Sequence, residues 1–139
     1  MASPYIVRKT AYFSMKTPNR PGQGARILSG LAAHGVNLVA FTGFPSGGSA
    51  QVDFMPYNPK KFVEAARKLG FKVSARKTVF LATGKDRTGA VASICSKLAV
   101  AGINMVAMDA VSSGAGRFGA IFWVKPGDVA KAARVLNAG

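Results

Sequence analysis

Residues 19–38 read NRPGQGARILSGLAAHGVNL, and residues 86–105 read DRTGAVASICSKLAVAGINM. Sliding the chain over itself by 67 places brings Gly22 onto Gly89, Ile27 onto Ile94, Leu31 onto Leu98, Gly35 onto Gly102 and Asn37 onto Asn104 without a gap. The same shift carries Pro59 onto Pro126, Arg67 onto Arg134 and Leu69 onto Leu136. One register held over that distance marks a tandem duplication.

Each copy reads in the same order. Tyr12–Met15 and Val79–Ala82 are apolar and β-prone, and a glycine turn then opens a helix whose inward face is Ile27, Leu28 and Leu31, or Ile94, Cys95 and Leu98. Gly35 and Gly102 fall where a left-handed helix end is wanted. Strands follow at 37–42 and 104–111, hairpin turns at 45–49 and 112–116, and third strands at 50–55 and 117–124. A second helix starts near Pro59 or Pro126, where a proline suits the first turn.

The pattern predicts an α+β fold of two ferredoxin-like βαββαβ units with antiparallel sheets and helices on one side. The first copy continues as FKVSARKTVFLATG after Gly70, whereas the second lacks a fourth strand, and VRKTAYF at 7–13 resembles ARKTVFL at 75–81. Two long strands, about 5–15 and 71–83, are therefore expected to cross antiparallel, each first half completing the other unit. That merges the units into one eight-stranded sheet, with a first domain at 10–76 and a second at 77–139 completed by residues 5–9. Arg8 and Lys9 would then approach Arg76 and Lys77, a like-charge cost that a bound anion or, as favoured here, side chains splayed into water would offset.

Hydrophobic residues make up 49% of the chain and charged residues 17%, enough apolar material for a core and no basis for disorder. No window approaches the ~18 apolar residues of a membrane span, the first residues lack the order of a secretion signal, and one cysteine forms no internal disulfide; a cytoplasmic protein without membrane contact is expected. Nineteen Lys and Arg against five Asp and Glu give +14, a potential that would draw nucleic acid, acidic proteins or anionic metabolites. The five acids, Asp53, Glu64, Asp86, Asp109 and Asp128, are scattered, and with one His and one Cys they offer no triad and no metal spacing. No enzyme, metal or cofactor is expected.

A βαββαβ unit with Asn or Asp, x, Pro-Gly before its first helix and Gly-Val/Ile-Asn opening its second strand resembles the ACT domain, a regulatory module that binds amino acids. NRPG with GVNL resembles in particular the serine-binding regulatory domain of phosphoglycerate dehydrogenase. The resemblance implies ligand contacts from Asn19, Arg20, Pro21 and Gly22, from Asp86, Arg87, Thr88 and Gly89, and from Asn37 and Asn104. It implies a small-molecule ligand, an amino acid, with output through a homodimer or an unidentified protein partner. Thr88 stands where the pattern has proline, and Gln23 and Gly24 where it has apolar residues, so unequal sites are expected.

The physical chemistry of these residues supports the same chemistry. Gly22 and Gly89 let a carboxylate approach the backbone, and N–H groups at a helix start favour an anion. Asn37 and Asn104 offer an amide to a polar group, or bond their own backbone at a strand entry. His34 is expected at its helix C-terminus and Cys95 on the inward stripe. The alternative is an RNA-recognition sheet, with GRFGAIFWV at 116–124 and Phe80, Phe118 and Phe122 stacking bases; against it, both strand faces are apolar, as a dimer or inter-domain core would be, and nucleic acid is disfavoured.

Overall fold

The computed structural model describes residues 4–139 and holds β1 (Tyr5–Thr17), α1 (Gln23–Ala33), β2 (Leu38–Ser46), β3 (Ser49–Pro56), α2 (Pro59–Leu69), β4 (Lys77–Lys85), α3 (Ala90–Val100), β5 (Met105–Gly114), β6 (Arg117–Val124) and α4 (Val129–Val135). Packing separates a first unit, Ala11–Lys77, from a second unit that joins the chain up to Thr10 with Thr78–Gly139. The strand β1 is thus divided: its Tyr5–Thr10 half belongs to the second unit and its remainder to the first.

Both glycine turns are left-handed, with φ of 85° at Gly22 and 83° at Gly89, and a helix starts at the next residue in each case. The helices end as the spacing predicts: Gly35 and Gly102 have φ of 73° and 74°, and the following N–H groups of Val36 and Ile103 bond back to the carbonyls of Leu31 and Leu98.

In the first unit, β3 lies between β2 and β1 in antiparallel ladders, with Phe41 and Phe13 both in register with Phe54. Ala11, Phe13 and Met15 from β1 pack with Val52 and Phe54 from β3 against Ile27 and Leu31 of α1 and Phe62, Ala65 and Ala66 of α2. The Phe62 ring lies 4.9 Å from Phe13 and 5.1 Å from Phe54, within the range of favourable aromatic pairs.

The second unit repeats this core. β6 lies between β4 and β5, and Phe80 stacks on Phe122 with centroids 5.3 Å apart. These rings pack with Ile94 and Leu98 of α3, Ala132 and Ala133 of α4, and Tyr5 and Val7 from the first half of β1. Alternation places Phe118, Ala120, Phe122 and Val124 on this helix-covered face. The base-stacking platform of the RNA alternative is absent: Phe80, Phe118 and Phe122 are 0%, 5% and 0% exposed, packed under the helices, and present no open ring face for bases to stack on.

Two further expectations need correction. The described residues contain six strands, not eight, because β4 begins at Lys77 and residues 71–76 lie outside any strand. Ser74 accounts for this: its N–H donates to the Ser14 carbonyl at 2.8 Å, but its hydroxyl oxygen takes the Ser14 N–H at 2.9 Å, so a side chain occupies the place of a ladder acceptor. The second helices also differ. Asn58 caps α2, its side-chain oxygen accepting the Lys61 N–H at 3.1 Å. The residue 67 places on, Lys125, has no acceptor, so Pro126–Asp128 forms a 3-10 turn and α4 starts only at Val129.

Candidate functional site

The turn of the second unit is tied down from both sides. Asp86 donates its backbone N–H to the Gly116 carbonyl at 2.8 Å, and its carboxylate accepts the Ser112 hydroxyl at 2.8 Å. The β5–β6 hairpin thus holds the turn, while the Ala90 N–H bonds the Arg87 carbonyl at 3.2 Å and closes it on the helix side. Gly89 caps α3 without a side-chain hydrogen bond, which leaves the first-turn N–H groups without a side-chain acceptor.

A cavity of about 360 Å³ opens there, lined by Asp86, Arg87, Gly89, Val91, Ser112 and Phe118 among others. Asp86 and Arg87 are both exposed and both border the cavity, so a carboxylate and a guanidinium belong to residues at its mouth, and Phe118 gives an apolar wall. A Cβ on Gly89 would meet nothing within 4 Å; the glycine is required by its φ of +83°, and the open space beside it is additional. Thr88 is exposed in the same turn and does not line the cavity. Ser112 has no signal of its own in the sequence, where the hairpin at 112–116 reads only as a connection, and Phe118 stands out there only as a ring for stacking bases, not as a wall of this turn.

The first unit's turn is built alike but sits differently. Asn19, Arg20, Pro21 and Gly22 are all exposed, Gln23 donates its N–H to the Arg20 carbonyl at 3.3 Å, and Gly22 again provides no side-chain cap. A cavity of about 350 Å³ in this unit is lined by Met15–Pro18, by Gln23, Arg26 and Ile27 on α1, and by Leu69–Lys72, so none of the four turn residues borders it.

The asparagines lie elsewhere. Asn37 and Asn104 follow the far ends of α1 and α3, and an 11-residue helix places them about 16 Å along the axis from their own turns. One small ligand therefore reaches a unit's turn or its asparagine, not both. The Asn37 side-chain oxygen accepts the Leu38 N–H at 3.0 Å, the local bond of a strand entry, and Asn104 is exposed. The His34 ring bonds the Gly30 carbonyl through Nδ1 at 3.0 Å, at the helix C-terminus. Cys95 is half-buried, its Sγ 3.9 Å from Met108 Sδ.

The chain matches no protein-family model and no curated protein sequence. Solved structures do match. A Bacteroides thetaiotaomicron protein is 18% identical over 97% of this chain and 90% of its own, with a TM-score of 0.76. The regulatory subunit of aspartate kinase from Thermus thermophilus is 15% identical over 97% of this chain and 95% of that one, with a TM-score of 0.66. Its counterpart from Thermus flavus gives 17%, 97%, 95% and 0.64. The fold is ACT-like. At these identities the likeness is one of architecture. No helix among the described residues is long and apolar enough to cross a membrane.

Proposed function

We propose that this chain is a non-catalytic regulatory protein that binds an amino acid at the Asp86–Gly89 turn. The observation that carries the reading is the cavity of about 360 Å³ on whose rim a carboxylate, a guanidinium and an uncapped helix start converge. Its volume lies at the low end of the ~300–1,000 Å³ typical of small-molecule pockets. Arg87 and the N–H groups of α3 suit the ligand carboxylate, Asp86 suits the ammonium, and Phe118 suits an apolar side chain. The Asn19–Gly22 turn is a second, weaker site in this reading, because Asn19 stands where Asp86 supplies a charge. Asn37 and Asn104 would contribute from a second copy of the chain, and the bound ligand would act by favouring one arrangement of a homodimer or of a complex with a protein partner. A cytoplasmic setting accords with that role.

The experiment is thermal melting and calorimetry of the full chain against the proteinogenic amino acids, beginning with serine. A ligand that binds only the folded form at a hundred times its Kd adds about 2.7 kcal/mol of stability. One or a few amino acids are expected to raise the melting temperature saturably, and Asp86→Asn or Arg87→Ala to weaken that binding more than tenfold. A melting temperature indifferent to every amino acid at millimolar concentration refutes the proposal.

A further inference from the structure

The first unit contains a second cavity that the amino-acid reading leaves unused, and the duplication supplies an internal control for it. In the second unit the Tyr5 ring lies under Lys97 Nζ at 4.9 Å, and its hydroxyl meets Ser93 Oγ at 2.9 Å. In the first unit Phe71 occupies the matching place, since its ring lies 3.9 Å from a Cβ built on Gly30, the residue 67 places before Lys97. Phe71 has no hydroxyl, and the residue 67 places before Ser93 is Arg26. Where one copy closes the gap between strand edge and helix with a hydroxyl pair, in the other Arg26 and Phe71 both line an open cavity.

The gap stays open for a reason already described. Ser74 bonds β1 only at Ser14, so Leu69–Lys72 runs past Met15–Thr17 without forming a ladder, and the cavity of about 350 Å³ lies between them and α1. Met15, Ile27, Leu69 and Phe71 give it an apolar floor, and Gln23, Arg26 and Lys72 its polar groups. Lys16 also borders it, with its amine turned to Ser46 Oγ at 2.9 Å. No carboxylate lines the cavity; the acids of this unit are Asp53, which accepts a hydrogen bond from Gln51, and Glu64, which borders a different cavity. The C-terminal end of α2 adds little opposing charge, because the Ala66 and Arg67 carbonyls accept the N–H groups of Phe71 and Gly70 and Arg67 and Lys68 occupy the last turn.

We infer that this cavity binds a small organic anion with an apolar body, its carboxylate or phosphate held by the Arg26 guanidinium and its body against Met15, Ile27, Leu69 and Phe71. Guanidinium pairs with either oxyanion in the same forked geometry, so carboxylate and phosphate esters share the chemistry. The site is separate from the Asp86–Gly89 turn and does not depend on what that turn binds.

The test is calorimetric titration of the full chain with benzoate, phenyl phosphate and inorganic phosphate at low and physiological salt. Saturable one-to-one binding of benzoate or phenyl phosphate, stronger than inorganic phosphate, is expected; the tighter of the two names the oxyanion. Arg26→Ala and Arg26→Ser, the latter restoring the residue of the other copy, should each weaken binding at least tenfold, and Arg87→Ala should leave it within twofold. Arg26 is exposed on its helix, so these variants are expected to melt as the parent does. Failure of both aromatic anions to bind, equal binding by the Arg26 variants, or loss of binding in Arg87→Ala overturns the inference.

Discussion

Replacing Gly84 by alanine tests how the N-terminal segment closes the second unit. A Cβ at Gly84 would stand 2.6 Å from the Pro4 carbonyl oxygen and 2.7 Å from Tyr5 Cβ, both anchored to the neighbouring backbone. To regain ordinary contact the segment must withdraw by about 0.7 Å. The Lys85 N–H to Pro4 carbonyl bond, already 3.4 Å long, would then fail, and Tyr5, only 4% exposed, would be pulled from the core. Overpacking of this kind costs about 1–3 kcal/mol, and the reduced freedom of the unfolded chain returns about 0.4–1 kcal/mol. A net loss of about 1–2 kcal/mol, or roughly 3–10 °C in melting temperature, is expected by calorimetry. The control is Gly119→Ala on β6, where a Cβ meets nothing within 4 Å, and this should be neutral or raise stability by up to about 1 kcal/mol. If the two alanine variants melt alike, or Gly84→Ala is the more stable, the close approach of Pro4 and Tyr5 is wrong.

Asn58→Ala should cost about 1 kcal/mol, read from the urea midpoint, by removing the acceptor for the Lys61 N–H. Burial, and then the Asp53 carboxylate, hold the Tyr12 phenol above its ordinary 10.0. A raised pKa favours the neutral phenol in the folded state, so this contribution is complete below pH 10 and is lost as pH rises through the folded value. The Tyr12→Phe variant should therefore lose less stability than the parent on going from pH 9 to pH 11, and absorbance titration should show a late ionisation in the parent that Tyr12→Phe removes; identical pH profiles would contradict the assignment.

The duplication made most of the architecture legible, because each copy checked the other. Glycines at 22, 35, 89 and 102 fixed where helices begin and end, since only a residue without a Cβ takes those positive φ values readily. The third strand at 117–124 has the same limits in the structure. Local chemistry overrode the pattern at Ser74, whose hydroxyl competes with the ladder, and at Lys125, which cannot cap. Neither shows in hydrophobic spacing, because both concern a single polar atom. The two turns were visible as motifs, but the cavity beside one of them depends on Ser112 and Phe118 from another part of the chain. The Arg26 cavity was hidden for a similar reason: its sequence signal is the mismatch of Arg26 with Ser93, which a search for matches passes over.

Because β1 is divided between units, the order in which the ribosome releases the chain matters. Ala11–Lys77 is contiguous and can fold as soon as it emerges, whereas the residues up to Thr10 must wait through its whole synthesis for Thr78–Gly139. During that interval Tyr5 and Val7 are unburied, next to a unit that is already folding. A delay or break in translation after Lys77 would leave a finished first unit carrying a short apolar arm without its cover.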